Sequence, residues 1–131
     1  MMRDYGTSAT RDASPATQET NLLLLVGNRT IPLDQDGNLA NLDDWSIEVA
    51  SLLARELNIE MGPGHWEIVE LVRDFYQQRG LSPIMRILVR LVERNLGPTK
   101  GNSLYLLSLF PGNPARAAAR IAGLPRPVHC V

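Results

Sequence analysis

From Asp43 onward the apolar residues stop alternating and recur at spacings of three and four, in stretches that mostly end at glycine or proline. Trp45, Val49, Leu52, Leu53 and Leu57 share one helical face, with Asp43 or Asp44 placed to cap its first amides. Residues 63–79 carry Trp66, Val69, Val72, Phe75 and Tyr76 on a second face, and Gly80 supplies the left-handed residue that closes a helix. Ser82-Pro83 has the form of an N-cap followed by proline at the first helical position, and Ile84, Ile87, Leu88, Leu91 and Val92 form the next stripe up to Gly97. A shorter helix runs through Leu104, Leu107 and Phe110 to Pro111-Gly112, and a last one, residues 115–122, starts at Asn113-Pro114 and ends at Gly123.

Upstream of Asp43 the period is that of strands. Leu22 to Val26, the turn pair Gly27-Asn28, and Arg29 to Leu33 predict a β-hairpin. Asp34-Gln35-Asp36-Gly37 is a second turn, after which a third strand is expected over residues 38–42. The expected class is therefore α+β: a small N-terminal β-meander or hairpin packed on an array of about five helices. With 131 residues, 44% of them hydrophobic, one domain suffices, and it is expected over residues 21–123. Residues 1–20 are polar and aperiodic, which predicts a disordered tail.

Residues 124–131, Leu-Pro-Arg-Pro-Val-His-Cys-Val, cannot continue the last helix, because each proline removes an amide donor and pushes its predecessor toward extended geometry. They predict a flexible but proline-stiffened arm, and an arm projecting from Gly123 would carry Cys130 roughly 20 to 25 Å outward.

Cys130 is the one cysteine, so an internal disulfide is excluded, and with His65 and His129 as the remaining soft ligands a zinc site is not expected. No metal and no cofactor are called for. The Cys130 thiolate is drawn out by Arg126 and by a protonated His129 and opposed by a terminal carboxylate beside it, which predicts moderate reactivity completed by a partner. Composition and periodicity alone leave it an ordinary terminal thiol.

No apolar run reaches the roughly 18 residues of a membrane span, and no secretory pattern precedes the hairpin, so a cytoplasmic protein with no membrane partner is expected. Charge is uneven. Residues 1–69 hold four arginines against eleven acids, whereas residues 70–131 hold nine basic residues against three acids. That asymmetry fits either an anionic partner or a self-complementary fold. Lys100, Arg116, Arg120 and Arg126 are candidates for guiding the arm or for docking a partner's acidic rim, with a solvated helix face as the plain alternative. His65, next to Trp66 near a helix start, reads as structural, and Trp45, Trp66, Phe75 and Phe110 read as core.

The blocks around the arm supply a more specific reading. Lys100-Gly101-Asn102-Ser103, Tyr105-Leu106, Leu109-Phe110-Pro111-Gly112, Pro114-Ala115 and Ile121-Ala122-Gly123-Leu124-Pro125-Arg126-Pro127 with Cys130 closely resemble the TusE/DsrC family. Asp43-Asp44-Trp45, His65-Trp66-Glu67 and Val72-Arg73-Asp74-Phe75-Tyr76 extend the resemblance upstream, over about residues 22–131. The resemblance implies a β-meander on helices with a mobile C-terminal arm, and Cys130 as a sulfur-accepting residue. In the TusE branch that cysteine takes sulfur, as a persulfide, from a DsrE-like (TusBCD-type) donor complex and passes it toward the thiouridylase that thiolates tRNA. In the DsrC branch a second arm cysteine lies upstream and supports disulfide and trisulfide chemistry with sulfite reductase; that position is Ala119 here. The resemblance thus implies a sulfurtransferase with one thiol.

Two other readings stand beside it. One keeps the family and makes the chain a DsrC paralogue, akin to the gamma subunit of dissimilatory sulfite reductase, acting in sulfur oxidation or its regulation. The other takes the Arg79-Gly80-Leu81 turn and the row Arg86, Arg90 and Arg94 as a helix-turn-helix-like DNA-binding regulator.

Overall fold

The computed structural model describes residues 22–128; the tail expected over residues 1–20, His129 and Cys130 lie outside them. Strands β1 (Leu22–Val26) and β2 (Arg29–Leu33) pair antiparallel, with Leu24 opposite Ile31 and Val26 opposite Arg29. Alternation buries Leu24, Val26, Ile31 and Leu33 on one face and leaves Leu23 and Leu25 exposed. The third strand does not form. Residue 39 makes a single bridge to Leu33, and residues 42–44 wind into a 3-10 turn whose cap is the Asn41 side chain. That turn claims Asp43 and Asp44, so the following helix α1 (Ile47–Glu56) is capped instead by Ser46, whose Oγ accepts from the Val49 amide at 3.1 Å.

Helix α2 (Pro63–Arg79) has the predicted bounds, with proline in its first turn and Gly80 at φ 75° closing it. Helix α3 (Met85–Leu96) starts later than Ser82-Pro83 implied: its cap position is Ile84, with no side-chain bond, because the Ser82 hydroxyl is used elsewhere. Helices α4 (Ser103–Leu109) and α5 (Pro114–Ile121) are capped by Asn102 and Asn113 as their sequences demand. No helix among the described residues is long and apolar enough to cross a membrane.

Helix α5 is the hub. It packs on α1, α2, α3 and α4, and its buried Ala115, Ala118 and Ala119 keep side-chain volume low enough for those helices to approach. Around it Ile68, Val72, Leu88, Val92, Leu106 and Phe110 form the main core, while the hairpin closes a second cluster over Val49 and Leu53. Trp45 touches both clusters. At Gly101, before α4, a Cβ would stand 2.2 Å from the Glu93 Cα, so the loop lies directly on the backbone of α3.

Candidate functional site

The C-terminal segment leaves α5 through a set of bonds that hold it to the body. The last carbonyls of a helix lack partners within it and must find them elsewhere. Here the Trp45 Nε1–H donates to the Ile121 carbonyl at 2.9 Å, and Arg73 Nη1 donates to the Ala122 carbonyl at 2.6 Å. The Arg73 guanidinium also stacks on the Trp45 ring, 3.8 Å from its centroid. Burial pulls Arg73 below its ordinary pKa, with Asp74 opposing, yet a guanidinium remains a cation at any physiological pH. Gly123, at φ 75°, turns the chain beneath this stack: a Cβ there would sit 2.4 Å from Trp45 Cδ1.

Beyond the turn no helix continues, as the prolines require, and the described residues up to Pro127 lie against the body. The Leu124 amide donates to Ala119 at 2.9 Å and its side chain is buried. The Leu124 carbonyl accepts from Asn38 Nδ2 at 3.5 Å, and the Pro125 carbonyl accepts from Ser82 Oγ at 2.6 Å. Asn38 and Ser82 are the two buried polar residues of the described chain, and each spends its side chain on this segment. Pro127 is buried as well. The reach counted from Gly123 is therefore too long. From Pro127, three residue steps remain to Cys130, a covalent length of about 10 Å.

Of the four basic residues singled out in the sequence, three come together and one does not. Arg116 and Arg120, one turn apart on α5, and Arg126 on the C-terminal segment line a cleft of about 200 Å3 that Asp36 and Asn38 complete. Arg120 Nη2 bonds Glu56 at 3.1 Å, and Arg126 stands 3.9 Å from Asp36. Lys100 is not part of the cleft; its ammonium bonds Glu67 on α2 at 2.8 Å, and that bond raises its pKa. Arg86, Arg90 and Arg94 are exposed along α3. Ala119 lies within α5 and is buried.

His65 is structural, as expected. Its Nδ1 accepts from the Gly62 amide at 3.1 Å and its Nε2 meets the Leu109 carbonyl at 2.8 Å. A carbonyl only accepts, so the proton sits on Nε2 and the ring ties the start of α2 to the end of α4. Among the described residues no group of His, Cys, Asp and Glu could hold a metal ion.

Sequence reasoning missed Trp45, Arg73, Asn38 and Ser82 as holders of the C-terminal segment. An aromatic at helical spacing gives no sign that its N–H will serve a distant helix end, and Ser82 carried the stronger local signal of a cap.

A small α+β body to which the segment after the hub helix is tied back by Asn38 and Ser82 defines one class of protein, and the comparisons with known proteins agree. The family model described as "DsrC like protein" matches residues 25–131. The chain belongs to the DsrC-like family. It is 47% identical over 109 residues to Sulfurtransferase TusE of Yersinia pestis, covering 83% of this chain and all of that relative. Among solved structures it is similar to Allochromatium vinosum DsrC, with a TM-score of 0.76 and 41% identity over 83% of this chain and 97% of that one. The oxidized gamma-subunit of the dissimilatory sulfite reductase (DsrC) from Archaeoglobus fulgidus follows at 0.74, with 37% identity over 84% of this chain and 100% of that one.

Proposed function

We propose that this chain is a sulfur-relay protein whose single thiol, Cys130, receives sulfur from one protein and hands it to another. The Cys130 thiolate attacks the outer sulfur of a donor persulfide; the donor's S–S bond breaks, the donor cysteine leaves as thiolate, and Cys130 becomes the persulfide. An acceptor thiolate then attacks that outer sulfur and the Cys130 thiolate leaves. Atoms and electrons balance in both transfers, so no oxidant or cofactor is consumed.

The observation that supports this reading most is the position of the sole cysteine, three residues after the buried Pro127, in a chain whose curated relatives are named sulfurtransferases. From the resemblance to the TusE branch we read the donor as a DsrE-like, TusBCD-type complex and the acceptor as a tRNA thiouridylase, in the cytoplasm. A second reading, a DsrC paralogue working with a sulfite reductase, draws on the gamma-subunit title of the solved relative. Ala119 counts against its disulfide form, since one thiol supports no intramolecular couple.

The test is intact-mass measurement after incubation with a persulfide-loaded donor protein. Addition of one sulfur atom, lost in Cys130→Ser, is expected. Absence of the added sulfur, or its persistence in Cys130→Ser, removes the reading. Capture experiments with reduced and persulfidated Cys130 as bait then separate a thiouridylase from a sulfite reductase complex.

A further inference from the structure

We infer that the cleft between α5, the Asp36–Asn38 turn and Arg126 is a binding site for a small free oxyanion of the sulfate, sulfite or phosphate kind. This goes beyond the relay and does not rest on Cys130.

Three guanidinium groups line one cleft, and the acids near it do not use up their donors. A guanidinium offers five N–H groups in a planar fork that matches an oxyanion two at a time. Glu56 takes one nitrogen of Arg120, and Arg120 Nε is buried without a partner among the described residues. Asp36 stands 3.9 Å from Arg126, a charge contact longer than a hydrogen bond. Arg116 is exposed, and its guanidinium meets no acid among the described residues. Among the described residues, with Asp36 and Glu56 set against three arginines, one positive charge is left over, and all three cations retain unused donors.

The site is also shaped by the fold. Gly37, at φ 85°, lets the Arg120 guanidinium lie against the backbone: a Cβ there would be 2.6 Å from Nη2. The Asn113 cap starts α5 so that Arg116 and Arg120 stand one turn apart on the cleft side, and the bonds on Leu124 and Pro125 fix where Arg126 enters. Arginines brought together by three separate restraints repel one another unless an anion joins them. At about 200 Å3 the cleft takes a hydrated tetrahedral or pyramidal anion, and it is smaller than the roughly 300 Å3 at which pockets for drug-sized ligands begin.

The experiment is a titration of the full chain with sodium sulfate, sulfite and phosphate at constant ionic strength set with chloride, read by NMR on the arginine Nε–Hε signals. Saturable shifts of Arg116, Arg120 and Arg126, with Arg90 on α3 unmoved, are expected. Arg116→Ala, an exposed position, should bind about tenfold more weakly, the loss of one charge-assisted pair. Asp36→Asn should bind more tightly, because it removes the acid that competes for Arg126; a merely structural role for Asp36 would not improve binding. Cys130→Ser should bind as the parent does, which separates this site from the relay. Shifts that rise linearly without saturating, that are equal at Arg90, or that are unchanged by Arg116→Ala and Asp36→Asn overturn the inference.

Discussion

Ser82 and Pro125, 43 residues apart in sequence, are joined by a 2.6 Å hydrogen bond from the serine hydroxyl to the proline carbonyl. The bond has a cost at its own locus: a residue placed to cap α3 caps nothing, and the helix starts at Met85 without a side-chain partner. It also sets a test. Ser82→Ala leaves the Pro125 carbonyl without its donor and should destabilise the fold by about 1 to 2 kcal/mol, measured by urea unfolding. Faster amide hydrogen exchange at Leu124 and Arg126, on either side of Pro125, should accompany it. Unchanged exchange at both would mean that this bond does not hold the segment down.

The indole of Trp45 works through one N–H. Trp45→Phe keeps an aromatic ring under Arg73 but loses the bond to the Ile121 carbonyl, so a loss of about 1 kcal/mol is expected in chemical denaturation. Arg73→Lys removes the planar fork that both stacks on Trp45 and reaches the Ala122 carbonyl, and should cost at least as much, about 1 to 2 kcal/mol. If the lysine variant is as stable as the parent, the stack contributes nothing beyond charge.

Gly80 and Gly123 share φ 75° but not their surroundings, since a Cβ at Gly80 meets open space and one at Gly123 meets the Trp45 ring. Gly80→Ala should therefore cost only the left-handed conformation, about 1 to 2 kcal/mol. Gly123→Ala adds the clash and should cost about 2 to 4 kcal/mol in all. Equal unfolding midpoints for the two variants would show that the ring moves aside freely.

The Lys100–Glu67 pair should contribute at neutral pH and lose that contribution in alkali. Hydrogen bonding to Glu67 raises the Lys100 pKa in the folded state, so its stabilisation is complete below the unfolded-state value and is lost as pH rises through the folded one. The difference in stability between the parent and Glu67→Gln should be constant across neutral pH and shrink in the strongly alkaline range. A difference that already varies near pH 7 would point to another group.

Legibility in the sequence followed how local each cause was. Helix α2 could be bounded to the residue because proline at one end and glycine at the other act within a turn. The hairpin was equally plain, since its turn pair and its alternation are both short-range. The supposed third strand failed where Asn41 offered its side chain to the Asp43 amide and a 3-10 turn formed instead. The prolines of the C-terminal segment announced that the last helix would not continue, and it stops at Ile121. What they could not announce is where the segment lies, because Asn38 and Ser82, 86 and 43 residues away from their acceptors, decide that. The candidate arginines divided for the same reason: helical spacing alone put Arg116 beside Arg120, but only the folded chain brings Arg126 to them and assigns Lys100 to Glu67.

The burial of Pro127 bears on what a partner in the proposed relay would have to be. With about 10 Å of covalent chain between that residue and the sulfur, a donor would have to bring its own cysteine close to the body of the protein instead of admitting a long tentacle. Recognition and exchange would then share one address, and a rival protein with a perfectly good persulfide but the wrong contour would be turned away.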